Sequence, residues 1–224
     1  MIEDIPTDWR DALADAIEAP SFRALEAFQA QERARTDTAI YPPASQIFAA
    51  LQLTPLAKVR AVILGQDPYY TEGMATGLAF SVPMGCDLPR SLQNILKARK
   101  ADFGLPMPPS GSLDDWARND VLLLNTALTV RRGKPNSHRR YWRPFTDAII
   151  RAVTAQDRPI VFLLWGRQAR QTVVRGLISD PHVVIESVHP AARYAGTPFI
   201  DSTPFRCADA ALHDRRIWEL PGDP

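Results

Sequence analysis

Four short apolar runs, Val59–Leu64, Val121–Leu124, Ile160–Trp165 and His182–Val188, constrain this chain more than any other feature. They are rich in Val, Ile and Leu and alternate little with polar residues. A strand with one wet face alternates, so a continuous run implies burial on both faces, as in a parallel sheet. A fifth run, Leu78–Val82, reads as a strand as well. Amphipathic helical patterns lie between the runs, at Ser91–Ala101, Leu113–Arg118, Phe145–Ala155 and Gln168–Ile178. Two more precede the sheet, near Trp9–Ala30 and Ala44–Leu51, and Thr203–Trp218 closes the chain. This alternation predicts a single α/β domain, with a central, mostly parallel four-stranded sheet and helices on both faces. A chain of 224 residues, 46% hydrophobic, suffices for one sizeable core. Residues 1–35 read as a helical N-terminal extension of that domain.

The net charge is only +1, so a polyanion would have to be met by locally placed Arg and Lys. Two cysteines, Cys86 and Cys207, do not make a disulfide framework or a four-cysteine metal or iron–sulfur site. No metal and no cofactor is expected. The acidic start Met1-Ile2-Glu3-Asp4 lacks the apolar run of a secretory signal. No apolar stretch approaches the ~20 residues that span a bilayer. A soluble, cytoplasmic monomer without a membrane partner is the expectation.

Polar and aromatic residues gather where the apolar runs end. Gly65-Gln66-Asp67-Pro68-Tyr69-Tyr70 follows the first run and turns the chain sharply. Pro68 holds Asp67 out of the α region, and Tyr69 can wall a flat pocket. Phe80 lies in Gly77-Leu78-Ala79-Phe80-Ser81, Asn125 ends Val121–Leu124, and His189 precedes Pro190. Singly, each has a plain structural use: Asp67 as a turn residue, Asn125 as a turn cap, His189 as a loop residue, Phe80 as core. Together they cluster at the carboxyl edge of one sheet, where open α/β folds bind ligands.

These segments resemble the motifs of family 1 uracil-DNA glycosylases. The resemblance rests on Gly65–Tyr69, Gly77–Ser81, Leu122–Thr126 and His189-Pro190. It continues through Tyr41-Pro42-Pro43, Trp116-Ala117-Arg118, Leu128-Thr129-Val130-Arg131, Ser137-His138, Phe145-Thr146-Asp147 and Val161–Gly166. It spans roughly residues 41 to 219 in order. The resemblance implies hydrolysis of the N-glycosidic bond of deoxyuridine in DNA, single- or double-stranded, after base flipping. It implies Asp67 as the carboxylate that orients the attacking water and stabilises the cationic sugar, and His189 as the donor to uracil O2. Asn125 would pair with uracil N3–H and O4, Phe80 would stack on the base, Tyr69 would exclude a 5-methyl group, and Gln66 would line the pocket wall.

The chain departs from the family mainly where it would touch DNA. Tyr70 stands where the family has His. Pro89-Arg90-Ser91 replaces a proline-rich run, with Ser91 still matching a phosphate-contacting serine. Arg167 replaces the Ser of Gly-Ser. His189-Pro190-Ala191-Ala192-Arg193-Tyr194 replaces His-Pro-Ser-Pro-Leu-Ser, which puts Arg193 at the wedge position. Arg167, Arg193 and Tyr194 are therefore the expected DNA contacts beside Ser91, charge standing in for lost hydroxyls and an apolar wedge. In this family DNA-mimic protein inhibitors dock on the same loop, so sensitivity to them is open. The run from Arg131 to Arg143 has many basic residues and no acid. Such a run is ordinarily a solvated loop, and Tyr141 and Trp142 within it raise the alternative of a nucleic-acid surface. The competing readings are a glycosylase of broader specificity, a non-catalytic DNA-binding scaffold and a nucleotide-binding α/β protein. The last lacks its Gly-rich phosphate loop here.

Overall fold

The computed structural model describes residues 1–174, 176–192 and 198–223. In chain order the elements are α1 (Thr7–Ala12), α2 (Ala14–Glu18), α3 (Pro20–Arg33), β1 (Ile40–Tyr41), α4 (Ala49–Leu53) and β2 (Ala61–Gly65). Then come α5 (Arg90–Phe103), α6 (Asp114–Arg118), β3 (Val121–Asn125), β4 (Val130–Arg131), α7 (Arg139–Thr154), β5 (Val161–Trp165), α8 (Arg167–Val174), β6 (Val183–Ser187) and α9 (Pro204–Leu212). The central sheet has four strands in the order β3-β2-β5-β6, all parallel. In β2, β3 and β5 all five residues are buried. Successive side chains point to opposite faces, so this burial requires a cover of helices on each. The fold is the α/β sheet that the unbroken apolar runs predict, but the fourth run, expected to be buried on both faces, forms β6 at the sheet border, where four of the strand's five residues are exposed or half-buried.

The strand register prepares the site. Gly65 pairs with Asn125, Ile63 with Leu163, and Trp165 with Ser187. The four strands therefore stop at one level, and the turns leaving them converge on one edge.

Four other sequence expectations are corrected. Leu78–Val82 is not a strand but an irregular crossing of the sheet end. Gly77 and Phe80 adopt φ +85° and +66°, which no regular strand permits. The run is apolar because Leu78, Ala79 and Val82 are buried, and Ala79 N–H donates to Leu123 O at 3.0 Å. The helix expected from Phe145 starts at Arg139 and carries Pro144 inside it. Trp142, read as part of a basic loop, is fully buried in that helix, and Tyr141 stacks on Phe28 with ring centroids 3.6 Å apart. The pattern at Trp9–Ala30 divides into α1, α2 and α3, with Pro20 starting the last at the position where a missing N–H costs nothing. These helices bury Trp9, Leu13, Phe22 and Leu25 against the core, and α3 packs on α7. Among the described residues no helix is long and apolar enough to cross a membrane.

One buried charge holds the C-terminal segment. Arg99, fully buried on α5, pairs with Asp223 and donates to Trp218 O at 2.8 Å and Pro106 O at 3.1 Å. Truncation would leave a carboxylate and two carbonyls short of a partner. Arg99→Ala is expected to cost about 3–5 kcal/mol in urea unfolding.

Candidate active site

Three glycines let the converging turns approach. A Cβ on Gly65 would sit 2.1 Å from Asn125 Oδ1, so only glycine lets that amide cross the end of β2. Gly77, at positive φ, packs where a Cβ would lie 1.9 Å from Gln46 O. Gly166 likewise admits His189, whose Cβ would be 2.9 Å from an added Cβ. Backbone bonds knit the ends of β2 and β3 together. Thr126 N–H donates to Gly65 O at 3.0 Å, Ala127 N–H to Gln66 O at 3.1 Å, and Thr126 Oγ1 to Gln66 O at 2.9 Å.

A cavity of about 160 Å³ opens at this edge, lined by Gln66, Asp67, Tyr69, Phe80, Asn125 and His189, with Pro68, Tyr70, Ser91 and Pro135 at its margins. Asp67 Oδ2 accepts from the backbone N–H of Asn136 and, at 3.5 Å, from Gln66 Nε2. Its other oxygen, Oδ1, is buried with no partner within the protein among the described residues. Burial pushes the Asp67 carboxyl above the usual range, against the opposing pull of the Asn136 N–H, Gln66 and the Arg139 charge. Asn125 is buried, and its side-chain amide takes no partner among the described residues.

The aromatic walls are fixed. Tyr69 OH lies 3.1 Å from Ser91 Oγ and donates to Phe80 O at 3.2 Å, while burial pushes the phenol up to about 12. Tyr69 is thus a neutral wall with its polar tip satisfied. Phe80 packs 5.6 Å from Trp165 and 6.2 Å from the His189 ring, centroid to centroid.

His189 has a definite tautomer. Its Nδ1 accepts the N–H of Ala191 at 3.1 Å, so the ring proton sits on Nε2. Burial lowers its pKa, which keeps the ring neutral. Asn94 Nδ2 donates to Pro190 O at 2.6 Å and holds the loop that carries it.

A wider cavity of about 420 Å³ shares Gln66, Phe80 and His189 as walls and adds Arg139, Arg167, Gln168 and Gln171. The structure therefore brings Gln66, Asp67, Tyr69, Phe80, Asn125, Ser91 and His189 around one cavity and sets Arg167 beside it. Ser91 is buried against Tyr69 on the first turn of α5, facing the pocket. Arg193 and Tyr194 lie outside the described residues. Sequence reasoning missed Arg139 and the Asn136 N–H; both sit in the basic run, where charge alone did not single out a position. Among the described residues no group of three or more His, Cys, Asp or Glu side chains is placed to hold a metal ion.

The chain is similar to known proteins over most of its length. The family described as the uracil DNA glycosylase superfamily matches residues 51–210. A uracil-DNA glycosylase of Deinococcus deserti is 46% identical over 97% of this chain and 88% of its own length. One from Enterococcus faecalis is 43% identical over 100% of this chain and 97% of its own. Among solved structures, the mimivirus uracil-DNA glycosylase superposes with a TM-score of 0.87 at 25% identity, over 98% of this chain and 90% of that one. With these matches over nearly its whole length, the chain belongs to the uracil-DNA glycosylase superfamily.

Proposed function

We propose that this protein is a monofunctional uracil-DNA glycosylase, which hydrolyses the N-glycosidic bond of deoxyuridine in DNA and leaves an abasic site. The observation that carries the reading is the pairing, across a cavity of about 160 Å³, of a carboxylate with one free oxygen and a neutral histidine with its proton on Nε2. Cleaving this bond builds positive charge on the sugar and negative charge on the departing base. Asp67 meets the first and orients water, and His189 Nε2–H meets the second at uracil O2. The leaving uracil anion is spread over its carbonyls, so no second carboxylic acid is needed, unlike in most O-glycosidases.

Asn125 then reads uracil N3–H and O4, where cytosine would present a mismatched donor. Phe80 stacks on the base, and the Tyr69 ring excludes a 5-methyl group. The bond is hidden inside a duplex, so the nucleotide must rotate out at a cost of a few kcal/mol, recovered by these contacts. Among the described residues no lysine lines either cavity, which supports hydrolysis over a Schiff-base mechanism with strand cleavage. Ser91, Arg167, Arg193 and Tyr194 are assigned to DNA contact.

The test is incubation with single- and double-stranded oligonucleotides bearing one uracil, with chelator present, followed by alkali. Scission at uracil and not at thymine is expected only after alkali. Scission before alkali would overturn the monofunctional assignment, and none at all, with DNA binding kept, would favour a scaffold. The structural variants of mimivirus uracil-DNA glycosylase, Y322L and Y322F, are in complex with UGI. Titrating this protein with UGI, a DNA-mimic inhibitor, reports whether the divergent loop still accepts such a surface.

Gly65→Ala is expected to slow single-turnover excision by about 100-fold, because the new Cβ displaces the Asn125 amide. A near-native rate in a folded variant would mean that Asn125 is not held against the base.

A further inference from the structure

The N-terminal helices have no assigned part in the chemistry, yet a buried polar network runs from α3 to the edge of the site. Thr129 Oγ1 accepts from Trp142 Nε1 at 2.6 Å and from Gln29 Nε2 at 2.8 Å. Both lone pairs are then used, so its hydroxyl proton must go to His138 Nδ1, 2.8 Å away. His138 therefore carries its own proton on Nε2 and donates to Glu32 Oε2 at 3.1 Å. Burial lowers the His138 pKa and keeps this ring neutral. Glu32, buried on α3, also receives a two-pronged bond from Arg131, which holds its carboxyl below the usual range.

Arg131 and His138 stand at the two ends of one tight turn. Within it, Arg131 N–H donates to Ser137 Oγ at 2.9 Å, and Asn136 adopts φ +63°. The same turn makes two bonds to the segment after β2. Gly133 N–H donates to Tyr70 O at 3.0 Å, and Asn136 N–H donates to Asp67 Oδ2. One carboxylate on α3 thus grips both ends of the turn whose inner amide orients Asp67.

We propose that Glu32 and His138 are positioning residues for excision, holding the 131–138 turn so that Asn136 N–H fixes Asp67 with Oδ1 directed to the reacting centre. The proposal rests on Asp67 as the catalytic carboxylate. It makes α3 part of the working site and gives Ser137-His138 a role that the sequence left unassigned. Neither residue lines the base cavity, so their loss acts on rate and leaves substrate binding intact.

A second readout separates positioning from plain stability. Asp67 is faced by the Asn136 N–H, Gln66 Nε2 and the Arg139 charge, with His189, Tyr69 and Tyr70 on the same cavity. Of these, the Asn136 amide is the strongest group favouring the ionised form. If the turn slackens, the Asp67 pKa rises further and the acidic limb of the rate–pH profile moves to higher pH.

The experiment measures single-turnover excision against pH, and KM, for wild type, Asp67→Asn, Glu32→Ala, Glu32→Gln and His138→Gln. Glu32→Ala is expected to lose about 10- to 100-fold in kcat with KM within about twofold, and to shift the acidic limb upward. Glu32→Gln keeps an acceptor for His138 Nε2–H and should recover most of the rate. Should Glu32→Ala not fold, His138→Gln bears the same expectation. Folded variants with unmoved limbs and wild-type kcat would overturn the proposal, as would equal damage in Glu32→Ala and Glu32→Gln. An active Asp67→Asn would instead sink the underlying assignment of the carboxylate.

Discussion

Asp67→Asn is expected to lower single-turnover uracil excision by about 100- to 1,000-fold and, at neutral pH, to raise the melting temperature. Both effects have one cause. The carboxylate is buried with an oxygen that no group among the described residues satisfies, and burial raises its pKa in the folded state. A raised folded pKa means that the protonated form fits the fold better than the ionised one. The destabilisation is therefore felt at neutral pH and fades as pH falls through the raised folded pKa toward the unfolded value. Asparagine is neutral throughout, so its stabilising effect should be largest at neutral pH and shrink on acidification. Thermal melts across that range, beside rates, check both halves. A destabilised Asp67→Asn at pH 7 would show that the charge is compensated in the fold.

His189→Ala should lose a similar about 100- to 1,000-fold, the usual cost of one preorganised donor to a developing anion. The neutral tautomer makes a sharper claim about pH. Because burial holds the His189 pKa below its ordinary value, no histidine limb should cross the profile between about pH 6.5 and 8. Activity should fall only in more acidic solution. His189→Gln, whose amide N–H can reach toward the same oxygen, should retain more rate than His189→Ala. A wild-type profile that rises toward low pH would identify an imidazolium donor instead.

The sheet and most of the pocket were legible because both write themselves locally. Unbroken runs such as Val121–Leu124 have no other economical place than a doubly covered sheet, and residues at their ends share an edge by register. Short apolar runs do not distinguish a strand from buried irregular chain, which is how Leu78–Val82 misled. Its glycine and the positive φ of Phe80 decide the matter, and a sequence shows only the former. Trp142 read as surface because its neighbours are arginines, yet its indole N–H is taken up inside by Thr129. Least legible was the link from Glu32 to His138, 106 positions apart, since nothing local marks two such residues as partners.

Strand β6 carries a separate consequence. It ends the sheet, and its first four residues are exposed or only half-buried. Such a border offers free backbone donors and acceptors to any extended peptide, a standing invitation to intermolecular pairing. Glu186, held 3.4 Å from Arg170, sets a charge pair on that border. The pair adds little to folding free energy. A second molecule pairing there would have to desolvate it, which disfavours edge-to-edge association.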